Sequence, residues 1–117
     1  AYLEARGPLR AQLQKAYADY FRAHAVDAVI FPTVPLLARR LTEGMDTVEF
    51  AGQQVPTFPT FIRNTDPASN AGIPAISLPA GASSEGLPIG LELDGPKRSD
   101  RRLLAIAGAI EKLLVTP

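Results

Sequence analysis

Two adjacent serines sit among glycines in Gly81-Ala82-Ser83-Ser84-Glu85-Gly86, the stretch that most resembles a nucleophile loop. A serine hydroxyl attacks only when a base takes its proton, so a lysine or histidine must come within hydrogen-bond reach. Lys97 and Lys112 stand in segments with no pattern that would deliver them there, and the single histidine, His24, is equally remote in sequence. His24 falls on the apolar side of a helical pattern near its end, where a cation suits the helix dipole; a satisfied structural histidine is the favoured reading. Glu92 and Asp94, at i and i+2, share one strand face, and a solvated or arginine-paired face explains them better than an acid/base pair. The serine run lies between two strand patterns and reads as a hairpin turn. Cysteine is absent, which removes thiolate nucleophiles, disulfides and Cys-based metal sites. One histidine cannot build a His-rich metal site from one copy of the chain.

The elements that would position these groups follow from periodicity. Leu9, Leu13, Ala16, Tyr17, Tyr20, Phe21 and His24 recur at helical spacing after Gly7-Pro8, with Pro8 suited to the first helical position. Arg10, Gln14, Lys15, Asp19 and Arg22 take the other side. Residues 26–31 form a strand apolar on both faces, the pattern of a central strand covered on both sides. Pro32-Thr33-Val34-Pro35 ends it at its carboxyl end, where open α/β sheets hold ligands, so Thr33 either ties off the strand or lines a site. A long connection over 36–56 carries a small ribbon at 47–50 and 53–55 around Ala51-Gly52. Thr57, Phe58, Phe61 and Ile62 make a short helix, and Asp66-Pro67 opens another.

The run from Asn64 to Gly81 is a rigid corner, with Ala71 and Gly72 allowing close approach and Pro74 and Pro79 bracketing a strand. Strands are expected at 75–78 and 87–93. In the second, Leu87, Ile89, Leu91 and Leu93 form one buried face. Ser99 caps a last helix whose apolar stripe, Leu103, Leu104, Ala107, Ile110 and Leu114 widened by Ile106, Ala109 and Leu113, exceeds what this chain's own sheet would cover. Gly108 within it implies close approach of a neighbour. The fold class is α/β, a mixed sheet flanked by helices, in a single segment spanning 1–117.

Twelve acidic and twelve basic residues cancel in the 117, so no net field recommends nucleic acid or an anionic membrane. At 46% apolar and 21% charged residues the composition is that of a globular domain with a packed core. No apolar run approaches the roughly 20 residues of a membrane span, and no secretory signal pattern is visible. The lack of cysteine suits a cytoplasmic location. Eleven prolines, nine of them clustered at 32–96, make the middle of the chain turns and short strands.

Four blocks in order resemble the C-terminal region of amidase-signature hydrolases: Asp27-Ala28-Val29-Ile30-Phe31-Pro32-Thr33-Val34-Pro35, then Asn70-Ala71-Gly72-Ile73-Pro74-Ala75-Ile76-Ser77-Leu78-Pro79-Ala80-Gly81, then Gly86-Leu87-Pro88-Ile89-Gly90-Leu91-Glu92-Leu93-Asp94-Gly95-Pro96, then Ser99-Asp100-Arg101-Arg102-Leu103-Leu104. The resemblance implies the C-terminal portion of a larger amidase-signature domain. It also implies hydrolysis of a carboxamide to carboxylate and ammonia by a Ser-Ser-Lys mechanism without metal or organic cofactor. In that family the serines and lysine lie in the first half of the protein, so no catalytic residue is assigned to this chain.

What this segment contributes, on the same resemblance, is the acyl pocket, with Thr33, Ile62, Thr65 and Ile73 as lining candidates. Relatives that use glutamine carry an aspartate where this chain has Ile62. An apolar side chain there would leave a substrate ammonium unpaired, which favours an aryl or other apolar acyl group. Asn64-Thr65-Asp66-Pro67 with Ser69-Asn70-Ala71-Gly72 and the Leu93-Asp94-Gly95-Pro96 ending are most similar to the indoleacetamide and mandelamide hydrolase branch. Expected partners are the amide substrate and the remainder of the polypeptide, with a homodimer left open and neither nucleic acid nor membrane expected. Two other readings stand beside this one: a non-catalytic interaction module that docks by its apolar helix faces, and a small independent hydrolase using Ser83 or Ser84.

Overall fold

A computed structural model describes residues 1–43 and 46–114; Gly44 and Met45 of the long connection lie outside the described residues. The chain opens with helix α1 (Tyr2–Glu4), a π-turn over Ala5–Leu9 and helix α2 (Arg10–His24), which run on as one rod. Pro8 is therefore inside the helical run rather than at its first position. The wider π-turn accommodates a residue that has no N–H and whose ring crowds the preceding turn; the Arg10 amide reaches back to the Ala5 carbonyl instead. The rod ends at Ala25, in the left-handed conformation at φ 49°.

Strand β1 (Val29–Pro32) follows, then the ribbon β2 (Thr47–Phe50) and β3 (Gln53–Pro56), paired around Ala51 and Gly52 as expected. Both turn residues have positive φ, the geometry that tight hairpins demand. Helices α3 (Thr57–Ile62) and α4 (Asp66–Ala71) come next, with Pro67 in the first turn of α4. Strands β4 (Ala75–Ala82) and β5 (Pro88–Asp94) and helix α5 (Asp100–Leu114) complete the chain.

The main sheet is ordered β1-β5-β4, with β5 antiparallel to both neighbours. β1 is thus an edge of this sheet rather than a strand covered on both sides, and Ile30 is half-exposed. Its apolar character on both faces exceeds what residues 1–117 bury. One face of the sheet packs Leu78 and Leu93 against Leu103 and Ala107 of α5, joined by Ala28, Ile76 and Ile110. The opposite face lies under α2 and α4, where Phe21, Ala68, Ala71 and Ile73 form a second cluster with Leu13, Tyr17 and Val29. The result is three layers, helix on sheet on helix.

Docking of α4 on α2 is achieved by two side chains that the sequence pattern had placed on a polar face. Arg10 Nε donates to the Asn70 carbonyl at 2.9 Å, and Gln14 Nε2 to that of Ala71 at 2.7 Å. One turn apart on α2, they satisfy carbonyls that the end of α4 leaves unpaired. Gly72, at φ 68°, turns the chain out of α4, and a Cβ there would sit 2.6 Å from Arg10 Nη2.

α5 leaves Leu104 and Leu113 exposed, the latter at 76%. Gly108, expected to permit close approach, meets nothing within 4 Å among the described residues. Ser99 accepts at its carbonyl from the Leu103 amide, the N-cap position, but its buried Oγ has no hydrogen-bond partner among the described residues and is packed against Gly95. Among the described residues, no helix is long and apolar enough to cross a membrane.

Candidate functional site

The chemistry-bearing side chains gather on the α2 face of the sheet. Strand alternation puts Gly90, Glu92 and Asp94 of β5 on that face, with Val29 and Phe31 of β1 opposite Asp94 and Glu92 and with Ser77 of β4 opposite Glu92. Just beyond β1, the Thr33 amide donates to the Gly90 carbonyl at 2.9 Å. The Thr33 and Ser77 hydroxyls hydrogen-bond to each other across β5. They can do so because residue 90 has no side chain: a Cβ there would lie 2.8 Å from Thr33 Oγ1 and 2.9 Å from Ser77 Oγ. Thr33 thus has a definite partner, Ser77, which the sequence reading did not single out.

Asn64 fastens the next piece. Its side-chain amide donates to the Pro32 carbonyl at 2.8 Å, pinning the turn after α3 to the end of β1. That turn is closed by Thr65, whose amide and hydroxyl both donate to the Ile62 carbonyl, at 3.1 and 3.2 Å. Thr33, Ile62 and Thr65 are brought to one end of the sheet in this way, all half-buried. Ile73 is elsewhere, buried with Phe21, Ala68 and Ala71 beneath α4.

Glu92 and Asp94 are not on a solvated face. They are 4% and 1% exposed, the least accessible charged side chains described, and the ion pairs seen among the described residues, Lys15 and Arg22 to Asp19, Arg39 to Glu43 and Arg102 to Asp27, do not include them. Burial, the Asp94 charge and a hydrogen bond to Asp94 push the Glu92 carboxyl up to about 7. Burial also raises Asp94, against the lowering effect of the bond from Glu92. The pair therefore holds a shared proton near neutrality. Tyr17, across from it on α2, has its hydroxyl pushed up by burial and by both carboxyls. Alternation puts residues 92 and 94 on one face of β5, but only α2, lying over that face, makes it an inward one.

Between α2 and the sheet lies an open cleft of about 440 Å³, lined by Leu13, Ala16, Tyr17, Tyr20, Val29, Phe31 and Asp94. The serine-rich segment is a hairpin turn, as expected. Ser83 Oγ accepts from the Glu85 and Leu87 amides, both at 3.2 Å, and the Ser83 amide donates to the Leu87 carbonyl at 2.8 Å. A hydroxyl whose oxygen is held by two backbone donors serves the turn. His24 is exposed at the end of α2, its ring 4.4 Å from that of Tyr20, rather than packed in the core. Among the described residues, no group of three His, Asp or Glu side chains could hold a metal ion.

Comparison with known proteins decides the family. The sequence matches the family described as Amidase over residues 1–104. The chain belongs to the amidase family. It is 46% identical over 113 residues to the indoleacetamide hydrolase of Agrobacterium vitis, covering 97% of this chain and 24% of that protein. It is 45% identical over 115 residues to the mandelamide hydrolase of Pseudomonas putida, covering 97% of this chain and 21% of that one. An amidase of known crystal structure superposes with a TM-score of 0.75 at 31% identity, over 88% of this chain and 23% of that chain. This amidase sequence therefore spans about a quarter of the length of the relatives it matches. The α/β layering and the order of the four sequence blocks agree with these relationships.

Proposed function

We propose that residues 1–117 are the C-terminal portion of a longer amidase that hydrolyses a carboxamide C–N bond, water adding to the acyl carbon and ammonia leaving, to give a carboxylate. The acyl group is aryl or otherwise apolar. The nucleophilic serine, the relaying serine and the lysine base lie in polypeptide outside this chain. Residues 1–117 supply the acyl side of the pocket: Thr33, Ile62 and Thr65 at its wall, and Ile73 as the buried support of the corner behind it. No metal or organic cofactor enters this reaction. A cytoplasmic location belongs to the same reading.

The observation that carries the acyl preference is Ile62 on the turn that Asn64 fastens beside Thr33. An apolar side chain at that position favours a ring or alkyl group and penalises an ammonium, which would be desolvated without a partner. The similarity to the indoleacetamide and mandelamide hydrolases points the same way. The test is to assay the complete polypeptide on aryl-acetamides and on glutamine, with Ile62→Asp alongside. The expected result is activity on the aryl amides that falls by about 10- to 100-fold in kcat/KM in the variant. Equal turnover by the variant, or a preference for glutamine, would overturn it.

A second reading, a non-catalytic module docking on a partner, draws on the exposed Leu104 and Leu113 of α5. Intact mass separates the two. A gene product several times 12.5 kDa supports the amidase portion, and one of 12.5 kDa supports the module.

A further inference from the structure

Asp94 is a buried carboxyl with an unfinished set of contacts. It is 1% exposed, its Oδ1 has no hydrogen-bond partner among the described residues, and it lies at the floor of the cleft between α2 and the sheet. Glu92 beside it is nearly as buried, and the charges acting on the pair come from within it. A buried carboxylate without a compensating cation is strongly disfavoured. The cleft walls are aliphatic and aromatic, with Tyr17 and Tyr20 on one side and Val29 and Phe31 on the other. Such walls suit the methylene stem of a long basic side chain, and an aromatic ring face suits its cationic head. At about 440 Å³ the space also exceeds one side chain, so it admits a backbone segment carrying that side chain. The adjoining edge of β1 has no strand partner among the described residues. With this chain spanning 24% of its indoleacetamide-hydrolase relative, three quarters of such a polypeptide is available to fill it.

We infer that a segment of the longer polypeptide outside residues 1–117 occupies the cleft under α2 and places one arginine or lysine against Asp94 and Glu92. The inference rests on the reading of this chain as part of a longer amidase. Among the described residues, the ionisable groups that face the pair are Tyr17 from α2 and the two carboxyls themselves; β1 and β4 bring none. With the cation in place both carboxyls are ionised at neutral pH and the shared proton is released. The contact ties the C-terminal region to the rest of the enzyme through a buried ion pair that is unavailable to residues 1–117 alone.

The sign of a stability change tests this. In the complete polypeptide, Asp94→Asn and, separately, the milder Glu92→Gln are compared with the unsubstituted protein by thermal unfolding at pH 8 and pH 5. If a buried cation faces the pair, each substitution leaves it under-compensated. The midpoint then drops by several degrees at pH 8, more for Asp94→Asn. If no cation is present, removing an uncompensated carboxylate raises the midpoint at pH 8, and the inference is overturned. The same rise, reversed by adding a small amine such as n-butylamine to the unsubstituted protein, would assign the cleft to a soluble cation and overturn it as well. A crystal structure of the complete polypeptide with no lysine or arginine nitrogen within about 4 Å of either carboxyl would do likewise. If the gene product proves to be 12.5 kDa, the reading as part of an amidase fails, which is a different outcome from a stability change of the wrong sign.

Discussion

The two faces of β5 have the same backbone and opposite chemistry. Toward α5, Leu93 is 2% exposed and packs with Leu78, Leu103 and Ala107 in a closed apolar cluster. Toward α2, the residues on either side of Leu93 are carboxyls, equally buried but incompletely partnered, beside an open cleft. Around Leu93 the α5 face is closed by residues 1–117, whereas the α2 face beside it is not. The difference shows where the sequence encodes stability and where it encodes a relationship with something else: apolar contacts are complete in themselves, whereas a buried charge specifies its counterpart.

The largest effect should come from breaking the finished face. Leu93→Ala removes a side chain with almost no exposure from a cluster that cannot easily collapse, at a cost of about 2–5 kcal/mol. Urea unfolding should show the loss at every pH, since no titrating group is removed. A pH-dependent loss would mean that the two faces are coupled.

The unfinished face should instead respond to pH. Glu92 has a folded pKa raised from 4.5 to about 7, so the folded chain binds the proton more tightly than the unfolded one. Stability is then greatest below about 4.5 and is lost as pH rises toward 7, by on the order of 3 kcal/mol at 1.36 kcal/mol per pH unit. For residues 1–117 alone, the urea midpoint should be higher at pH 5 than at pH 8, and Glu92→Gln should flatten the difference. A midpoint that climbs with pH would reverse the assignment.

Much of this architecture is legible in the residues. The Ala51-Gly52 ribbon and the Ser83 hairpin are written in turn chemistry, which acts over a few positions; Asp66-Pro67 marked the start of α4, although Thr65 takes the cap position and no side chain caps it. The four-block resemblance placed the chain in its family. The buried carboxyls, the Arg10 and Gln14 contacts and the Thr33–Ser77 bridge were not legible, because each depends on which element lies across from it. Alternation shows that Glu92 and Leu93 face opposite ways, but only the position of α2 shows that both ways are inward. Likewise Pro8 reads as a helix start until the π-turn that absorbs it is seen.

A smaller effect probes the joint between the cleft face and the proposed acyl pocket. Gly90→Ala would thrust a Cβ to within 3 Å of both the Thr33 and Ser77 hydroxyls and 3.3 Å from Thr33 Cβ. The hydroxyls can rotate away but the strand ends cannot separate freely, so a cost of about 1–3 kcal/mol is expected. On the proposed reading, in which Thr33 lines the acyl pocket of a longer amidase, the accompanying loss should fall on the aryl-amide KM more than on kcat. Ser77→Ala, which removes the bond without adding bulk, should lower stability by about 1 kcal/mol. Equal effects of the two substitutions would assign the role of Gly90 to the hydrogen bond rather than to space.

The smallest expected change concerns the helix that covers the unfinished face. α4 leaves its last turn through Gly72 at φ 68°, while α2 leaves through Ala25 at φ 49°. Both conformations are left-handed, but only glycine adopts them without crowding between Cβ and the carbonyl. Ala25→Gly should therefore raise stability by roughly 0.5–1 kcal/mol, the relief outweighing the extra freedom given to the unfolded chain. Ala25 lies outside the cleft lining, so the gain should be the same at pH 5 and pH 8. A gain confined to low pH would mean that the end of α2 moves when the carboxyls ionise, and that the open face answers to its charge over the whole length of the helix above it.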